Sequence, residues 1–527
     1  MNALISILPV ILLFVLMLGF KVTGYKSALI TLVVTIGIAL WIAPAMDIFP
    51  DNFSGESVYE VVWWSFAEGV LKAIFPILII ILMAIYSYNV LVESKSIEVI
   101  KKQFTSLTDD KGVLVLMMVW GFGGLLEGMA GFGTAVAIPA AILIGLGFKP
   151  MFSALVALLG NTVATGFGAV GVPVTTLCNE ISEGGVASPQ TVCEVSTFAV
   201  IQLAPLFILI PFVILMLTDR KAWTKNICLA IWTGGVSLAV QLLCATFLGA
   251  ETPAIIGSIA AIIAIIIYDR IFLPKRKRNE NSPRFTFAET FKAWSVYLFI
   301  LIFILLSGAL CPPVNNFLKS HLNTVLPLPV IGSTFKFGWI SNAGLMLFLG
   351  SVIGGFIQGL NLKQLTVVMA KTIVNLRFTA ITIISLIALA SVMNYSGMIA
   401  AIAAGLVAIS GSFYPFFAPL IGAIGTFVTG SDTSSNILFG KLQAHVASQL
   451  GMNGQTTVAG FSGSQADWLA AANSAGATGG KMISPQSIAI ATAACDMKGK
   501  DDAILRKAIP YALIYIIICG LIVYFAA

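Results

Sequence analysis

The sequence predicts an all-α polytopic membrane protein with about 12–14 membrane segments arranged as two inverted repeats. Composition is the first reason: 58% of the 527 residues are hydrophobic and 10% are charged, against about 25% charged in soluble domains. The mean hydropathy is +0.99. A series of apolar runs of spanning length is the second reason, and four polar interruptions are the third. So little charge excludes a soluble enzyme and a disordered protein, and a net charge of +6 excludes a nucleic-acid-binding surface.

Ten apolar runs approach or reach the roughly 20 residues that a helix needs to cross the hydrocarbon core. They are Leu4–Phe20, Ser27–Pro44, Gly69–Leu91, Val195–Leu217, Ile227–Leu248, Pro253–Phe272, Ala293–Cys311, Trp339–Gln358, Phe378–Val392 and Ala508–Ala526. The first run lacks the basic flank and the cleavage site of a signal peptide, so it is expected to remain as a membrane helix. A further run, Met398–Ile409, fits a full span, half of a re-entrant hairpin or a helix in the membrane interface.

The distribution of Lys and Arg orients the chain, because basic loops stay in the cytoplasm. The basic loops are 21–26, 95–111, 220–225 and 273–290. The loops 45–68 and 178–194 carry acidic residues and no Lys or Arg. This alternation predicts an N-terminus outside the cell, and the basic residues within 498–507 predict the same for the C-terminus. The predicted location is the inner or plasma membrane, with 273–290 as a cytoplasmic linker.

Four segments are apolar enough for the membrane but too rich in Gly, Asn, Ser and Thr to form plain helices. They are Gly121–Pro139 (GFGGLLEGMAGFGTAVAIP), Gly160–Pro173 (GNTVATGFGAVGVP), Gly422–Asn436 (GAIGTFVTGSDTSSN) and Ala472–Pro485 (ANSAGATGGKMISP). Irregular backbone at membrane depth is tolerated only where protein or a water-filled cavity satisfies its N–H and C=O groups. Interrupted helices at corresponding positions of two halves are typical of a transporter's binding site.

The interruptions follow the same order in the two halves of the chain. A shift of 312 residues places Asn161 on Asn473 and Pro173 on Pro485. The predicted parts are a first half 1–272 with a re-entrant hairpin at 112–147 and a broken helix at 151–177, and a second half 291–527 with a hairpin at about 413–447 and a broken helix at 468–494. The basic loops make the first hairpin enter from inside and the second from outside, so the halves are predicted to be inverted copies.

The interruptions also carry the chemistry of an anion site. Ser484 followed by a proline is a helix-start signal, and helix N-termini attract small anions through their free N–H groups. Three ionisable residues lie within the interruptions: Glu127, Asp432 and Lys481. Lys481 is expected either to bind a substrate carboxylate or to pair with Asp432 or Glu127. Asp432 and Glu127 are candidates for carrying a coupled proton, and a helix cap is the alternative for Asp432.

Neither a cofactor nor a metal site is predicted. The seven cysteines are scattered singly and the chain has two histidines, so the ligand clusters of zinc or redox sites are missing from the sequence. An enzyme within the membrane would need a nucleophile–base pair, and neither histidine lies in an interruption. The sequence therefore predicts that the chain is not an enzyme.

Several strings resemble the L-lactate permease family almost from end to end. They are TGSDTSSN (429–436), GKMISPQSIAIA (480–491), LEGMAGFG (126–133), FKFGW (335–339), NYSG (394–397) and LIGLGFKP (143–150). The family comprises bacterial transporters of lactate and glycolate that are generally regarded as proton symporters. It is grouped with ion transporters whose folds contain inverted repeats, paired hairpins and broken helices, so the resemblance implies the same architecture here.

The resemblance also implies which residues form the site. For the substrate they are Gly131, Gly133, Asn161, Ser431, Thr433, Ser434, Asn473, Lys481, Ser484 and Gln486, and for the proton they are Glu127 and Asp432. The implied function is import of L-lactate and related 2-hydroxy monocarboxylates, including D-lactate and glycolate, by proton symport. The implied partners are the substrate, protons and the lipid bilayer, without nucleic acid, and a homo-oligomer is compatible with the pattern.

Three other functions stay open at this point. A sodium-coupled carboxylate transporter would use carbonyl groups at the broken helices as ligands for the cation. A passive anion channel would conduct without accumulating its substrate. A membrane sensor would transport nothing, although the sequence contains no soluble output domain to pass on a signal.

Overall fold

The computed structural model describes residues 2–20, 22–50, 53, 55–129, 131, 133–182, 185–273, 285–307, 311–497 and 500–526. Residues 274–284, which include the basic run Lys275–Arg278 and most of the predicted linker 273–290, lie outside the described residues. The described chain is helical apart from short connections and two small β-hairpins. The predicted class, an all-α polytopic membrane protein, is confirmed.

The helices are given in chain order. The first half contains α1 (Asn2–Met17), α2 (Gly24–Ala45), α3 (Val58–Glu93), α4 (Ser96–Thr105), α5 (Lys111–Met129), α6 (Thr134–Gly145), α7 (Pro150–Gly160), α8 (Gly168–Ile181), α9 (Pro189–Thr218), α10 (Trp223–Leu248) and α11 (Pro253–Phe272). The second half contains α12 (Phe287–Ser307), α13 (Pro312–Ser320), β1 (Asn323–Leu328), β2 (Ser333–Gly338), α14 (Ala343–Ile357), α15 (Leu362–Tyr395), α16 (Met398–Ser410), α17 (Tyr414–Thr429), α18 (Asp432–Gln449), β3 (Gln455–Val458), β4 (Phe461–Ser464), α19 (Gln465–Lys481), α20 (Pro485–Ala494) and α21 (Asp501–Phe525).

Ten helical segments of the described chain are long and apolar enough to cross a membrane, with α16 and α17 counted together. The pair formed by α7 and residues 163–181, bent by 48°, gives an eleventh if it is counted as one span. The expected 12–14 segments exceed this number. Three of the apolar helices, α1, α6 and α14, are shorter than the roughly 20 residues of a full span.

Both predicted interruptions of the first half are breaks between helices. Between α5 and α6, Gly131 and Gly133 have φ values of +62° and +83°, which are accessible to glycine because it has no Cβ. Between α7 and α8, a 3-10 turn is followed by left-handed backbone at Ala169, Val170 and Gly171. Regular right-handed helix therefore resumes immediately before Pro173, whose fixed φ suits a helix start.

The two interruptions of the second half are shorter. Gly430, with φ of +74°, separates α17 from α18, and Ser431 caps α18 by accepting a hydrogen bond from the amide of Ser434. Residues 482–484 separate α19 from α20, and Ser484 caps α20 through the amide of Ser487. Each capping serine satisfies one of the N–H groups that a helix start leaves unpaired.

A β-hairpin in the second half was not predicted from the sequence. Strands β1 and β2 pair antiparallel, and Ser333, Phe335 and Phe337 of β2 are buried while Lys336 is exposed. This alternation with a period of two is that of a half-buried strand. The observed helix α14 is therefore shorter than the predicted span Trp339–Gln358, since it begins only at Ala343.

Helix α15 is much longer than the predicted run Phe378–Val392. It begins at Leu362 with a capping box in which Asn361 and Gln364 bond each other's backbone amides. The charged residues in its first half were excluded from the predicted run, yet the helix continues through them. The ambiguous run Met398–Ile409 is helix α16, which leads through a short 3-10 turn into α17.

Small residues bring α17 and α19 into direct backbone contact. A Cβ at Gly422 would overlap the carbonyl oxygen of Asn473, one at Gly476 would overlap that of Pro419, and one at Gly480 would overlap that of Ala423. Such stripes of small residues let helices in membranes approach closely and gain van der Waals contact. The packing fixes Lys481, at the end of α19, relative to the start of α18.

We expect Gly476→Val to disrupt this packing, because the added side chain meets backbone atoms that cannot move aside. The variant should lose the monodisperse peak that the wild type gives in size-exclusion chromatography after detergent extraction. Gly235→Val is the matched control, since a Cβ at that position of α10 meets no atom within 4 Å. Equal behaviour of the two variants would contradict the proposed contact.

Candidate functional site

The four helix breaks surround one cavity of about 440 Å³. The residues that the breaks contribute to its lining include Glu127, Gly131, Gly133, Thr165, Gly168, Ala169, Pro173, Gly430, Ser431, Asp432, Thr433, Ser434, Lys481, Pro485, Gln486 and Ser487. The opposite wall comes from uninterrupted segments and includes Met17, Tyr25, Phe378, Thr382 and Leu386. The volume lies within the range of roughly 300–1,000 Å³ that is usual for small-molecule sites.

An ion pair between the two halves of the chain lies in this lining. Lys481 Nζ is 2.6 Å from Glu127 Oε1, and the side chains are 12% and 3% exposed. Of the two pairings expected for Lys481, the structure contains the one with Glu127. A charged group in a membrane span is costly unless it has a partner, so each of these residues neutralises the other.

The Glu127 carboxylate lies against the backbone at Gly168, where a side chain would leave it no room. A Cβ at Gly168 would lie 2.8 Å from Glu127 Oε1, so the carboxylate rests directly against the backbone of α8. The second oxygen, Oε2, is buried and has no hydrogen-bond partner among the described residues. Glu127 therefore keeps one acceptor for a ligand hydroxyl or a proton.

Asp432 is the second buried carboxylate of the cavity. It is 2% exposed, and its Oδ2 accepts a hydrogen bond of 3.3 Å from Ser474 Oγ of α19. Its Oδ1 has no partner among the described residues. Because Ser431 performs the capping of α18, Asp432 is available for another role.

The starts of α18 and α20 meet at the cavity. Residues Ser431–Ser434 and Pro485–Ser487 belong to its lining. Gly430 is required at this junction, because a Cβ there would overlap Gln486 Oε1. Two helix N-termini, each with a partial positive charge, therefore lie beside Lys481 and can attract a small anion.

Three of the predicted substrate residues are not in the cavity lining. Asn473 is fully buried, donates a hydrogen bond of 2.9 Å to Asn436 Oδ1 and accepts one of 3.2 Å from Gln443. Asn161 follows the last residue of α7, and Ser484 is occupied in capping α20. The other predicted residues, Gly131, Gly133, Ser431, Thr433, Ser434, Lys481, Gln486, Glu127 and Asp432, all line the cavity.

Comparison with known proteins assigns the chain to a family. The sequence model described as L-lactate permease matches residues 2–527. The chain belongs to the L-lactate permease family. Its relatives include the L-lactate permease of Streptococcus iniae, 37% identical over 86% of this chain and 92% of the relative. They also include the glycolate permease GlcA of Escherichia coli (strain K12), 31% identical over 99% of this chain and 95% of the relative.

Membership of the L-lactate permease family makes the chain a multi-pass membrane transporter and not an enzyme. Its fold is similar to that of the YdaH transporter of Alcanivorax borkumensis, with a TM-score of 0.52 and 14% identity over 94% of this chain and 98% of that one. At this identity the likeness concerns the fold alone.

Sequence reasoning missed several polar residues of the cavity. Thr165 lies in a predicted interruption and Ser487 lies two residues beyond another, within the predicted broken helix 468–494, but neither was selected. Tyr25, Thr379 and Thr382 belong to the opposite wall, on apolar helices without any interruption. Only the tertiary structure brings these residues to the site.

We expect Lys481→Met to destabilise this family member, because Glu127 then loses its cation. Removing one partner of a buried ion pair costs about 3–5 kcal/mol. A thermal unfolding assay in detergent should give a lower midpoint for Lys481→Met, and most of the loss should be regained in the Lys481→Met/Glu127→Gln double variant. Lys101→Met is the control, since its pair with Glu98 is more exposed (28% and 58%). A double variant no more stable than the single one would contradict the pairing.

Proposed function

We propose that the chain imports L-lactate and related small 2-hydroxy monocarboxylates, among them D-lactate and glycolate, by proton symport. Membership of the family supports the substrate class. The observation that carries the mechanism is the Lys481–Glu127 pair, placed where four helix breaks meet around one cavity. This arrangement offers a cation, an exchangeable carboxylate and two helix N-termini to a small anion.

The substrate carboxylate is proposed to bind Lys481 and the N-terminal residues of α18 and α20. An ammonium group and helix N–H groups are both good partners for a carboxylate. The 2-hydroxyl group can bond a neighbouring side chain such as Ser431, Thr433 or Gln486, which all line the cavity. A 2-hydroxy acid fits this set of partners better than a plain fatty acid, because its hydroxyl has a polar partner.

Proton coupling follows from competition for Lys481. When the substrate carboxylate takes the ammonium, Glu127 is left buried without its cation, and a buried carboxylate without a partner is driven to bind a proton. One anion and one proton then occupy the cavity together. On release of both, the Lys481–Glu127 pair forms again, so the empty carrier also has its charges paired.

The energetics favour such coupling for uptake. Moving one negative charge inward against an inside-negative potential of about 100 mV costs roughly 2.3 kcal/mol, which opposes accumulation about fifty-fold. A proton that travels with the anion makes the net transported charge zero. Uptake then depends on the proton gradient, and the electrical penalty on the anion disappears.

We also propose that the two halves, 1–272 and 291–527, are inverted repeats with both termini outside. Each half has one helix pair interrupted at glycine (α5–α6, α17–α18) and a following pair interrupted before a proline (α7–α8, α19–α20). Under the shift of 312 residues the left-handed turn at 169–171 falls on 481–483, where α19 ends and the break before α20 begins. Alternating access would then come from movement of the break-bearing helices against the opposite wall of the cavity.

Reconstitution in liposomes tests this function. With an inward proton gradient and sodium-free buffer, labelled L-lactate is expected to accumulate above its equilibrium level, and glycolate and D-lactate are expected to compete. A proton uncoupler should abolish the accumulation. Accumulation that requires sodium would favour a sodium-coupled carrier, currents that never saturate would favour a channel, and binding without any flux would favour a sensor.

Glu127→Gln should separate binding from coupling. The amide cannot take up a proton, so lactate–lactate exchange is expected to persist while proton-driven accumulation falls to the equilibrium level. Asp432→Asn is the matched comparison, since Asp432 is the other buried carboxylate of the cavity. If Asp432→Asn loses accumulation and Glu127→Gln retains it, the proton is carried by Asp432 and the proposed competition for Lys481 is wrong.

A further inference from the structure

A second cluster of charged side chains lies further along two helices that line the central cavity. Helix α8 contributes Pro173 to that cavity and Glu180 to the second cluster. Helix α18 likewise contributes Ser434 to the first and Lys441 to the second. Both intervals are seven residues, or roughly 10 Å along a helix. The same two helices therefore connect both places.

The cluster lines a cavity of about 360 Å³, which we call the lysine cavity. Its polar lining includes Lys72, Glu180, Tyr395, Lys441, His445 and Ser448. A neighbouring cavity of about 160 Å³ shares Lys72, Glu180 and Gly185 with it. The lysine cavity is thus large enough for a small organic anion and contains two ammonium groups.

One of the two lysines is paired with a fully buried carboxylate. Lys72 Nζ lies 3.1 Å from Glu68 Oε1, and the Glu68 side chain is completely buried. Glu68 also accepts hydrogen bonds from Ser333, Ser391 and Tyr395 at 2.7, 2.8 and 3.1 Å. This carboxylate has several donors, and with Lys72 it forms a neutral pair that anchors β2 and α15 to α3.

Lys441 is held much more loosely. Its Nζ is 3.7 Å from Glu180 Oε2 and 5.5 Å from the centre of the Tyr395 ring. The first distance exceeds that of a normal hydrogen bond, so the contact with Glu180 is a long ion pair. Its side chain is only 12% exposed. A partly buried ammonium group has three donors, and a long ion pair with one ring contact leaves room for an acceptor from a ligand.

We propose that the lysine cavity is a second binding site for a small carboxylate anion, with Lys441 as its main partner. The choice of a 2-hydroxy monocarboxylate as the ligand rests on the proposed function. The carboxylate would accept hydrogen bonds from Lys441, and Ser448 and His445, which line the same cavity, are available to its hydroxyl group. Glu180 is then the internal group that the anion displaces.

The two sites are separated by direct contact between α8 and α18. Asn436 donates a hydrogen bond of 3.0 Å to the carbonyl oxygen of Pro173. One turn further, a Cβ at Gly440 would lie 2.8 Å from Leu177, so these helices touch there as well. An anion in the lysine cavity therefore occupies a site distinct from the central one, with the packed surfaces of α8 and α18 between them.

Saturation-transfer difference NMR of L-lactate with the purified full-length chain in detergent tests the proposal, because it detects weak binding. Wild type, Lys481→Met and Lys441→Met should each transfer saturation to the lactate methyl group, and Lys481→Met/Lys441→Met should lose at least nine-tenths of the signal. The double variant Lys481→Met/Lys319→Met is the control, since Lys319 is exposed and lines neither cavity. It should behave as Lys481→Met alone.

Glu180→Gln gives a result that misfolding cannot imitate. In the Lys481→Met background it removes the internal competitor of Lys441, so the lactate dissociation constant should fall roughly two- to fivefold. In Lys481→Met protein that still elutes as the monodisperse species of the wild type, loss of the signal would overturn the second site and leave the proposed transport intact. Retention of the signal in Lys481→Met/Lys441→Met would do the same. Absence of any signal from the wild type would overturn both.

Discussion

The central constraint on this fold is that a buried charge in a membrane needs a partner. Glu127 and Lys481 are separated by 354 residues in sequence and satisfy each other at 2.6 Å. For this pair to form, the end of α5 must meet the end of α19, and both helices must stop there. The breaks end both helices at this point. The glycines and the small residues between α17 and α19 allow the close packing that brings Lys481 to Glu127. Loss of the pair would leave two of the most costly groups in the chain exposed to a low dielectric medium.

The interrupted helices turn this constraint into a binding site. A continuous helix pairs its own N–H groups and offers none to a ligand, whereas a helix that begins in mid-membrane offers its first turn. Helices α18 and α20 both begin at the cavity, and each is capped by a serine that leaves the neighbouring side chains free. Glycine at 168 and 430 lets Glu127 and Gln486 lie directly against backbone. The ion pair, the two helix N-termini and the glycines that allow close packing therefore all lie at the central cavity.

The sequence predicted the membrane class, the four breaks and most of the cavity lining, because scarce charges and glycine-rich interruptions are local signals. It could not tell which polar residues of a break face the cavity. Asn161 and Asn473 illustrate this. Asn161 comes directly after the end of α7. Asn473 lies inside α19, which continues for eight residues beyond it, and its side chain bonds Asn436 and Gln443. The opposite wall, with Tyr25 and Thr382, gave no signal, since those residues lie on ordinary apolar helices. Strand β2 was not predicted, because only three of its residues follow the alternation of buried and exposed positions that is typical of a strand.

Under the proposed mechanism, Glu127 acts as a tethered competitor of the substrate. It is a carboxylate fixed beside Lys481 at a high effective concentration, and any external ligand must outcompete it. Affinity is therefore lower than the cation and helix N-termini alone would give, and release is correspondingly faster. Neutral molecules of the same shape, such as amides or alcohols, have no charge with which to displace Glu127. Selectivity for anions thus comes from Glu127, the group that the substrate replaces. The modest affinity that follows suits a carrier, because a carrier must release its substrate in every cycle.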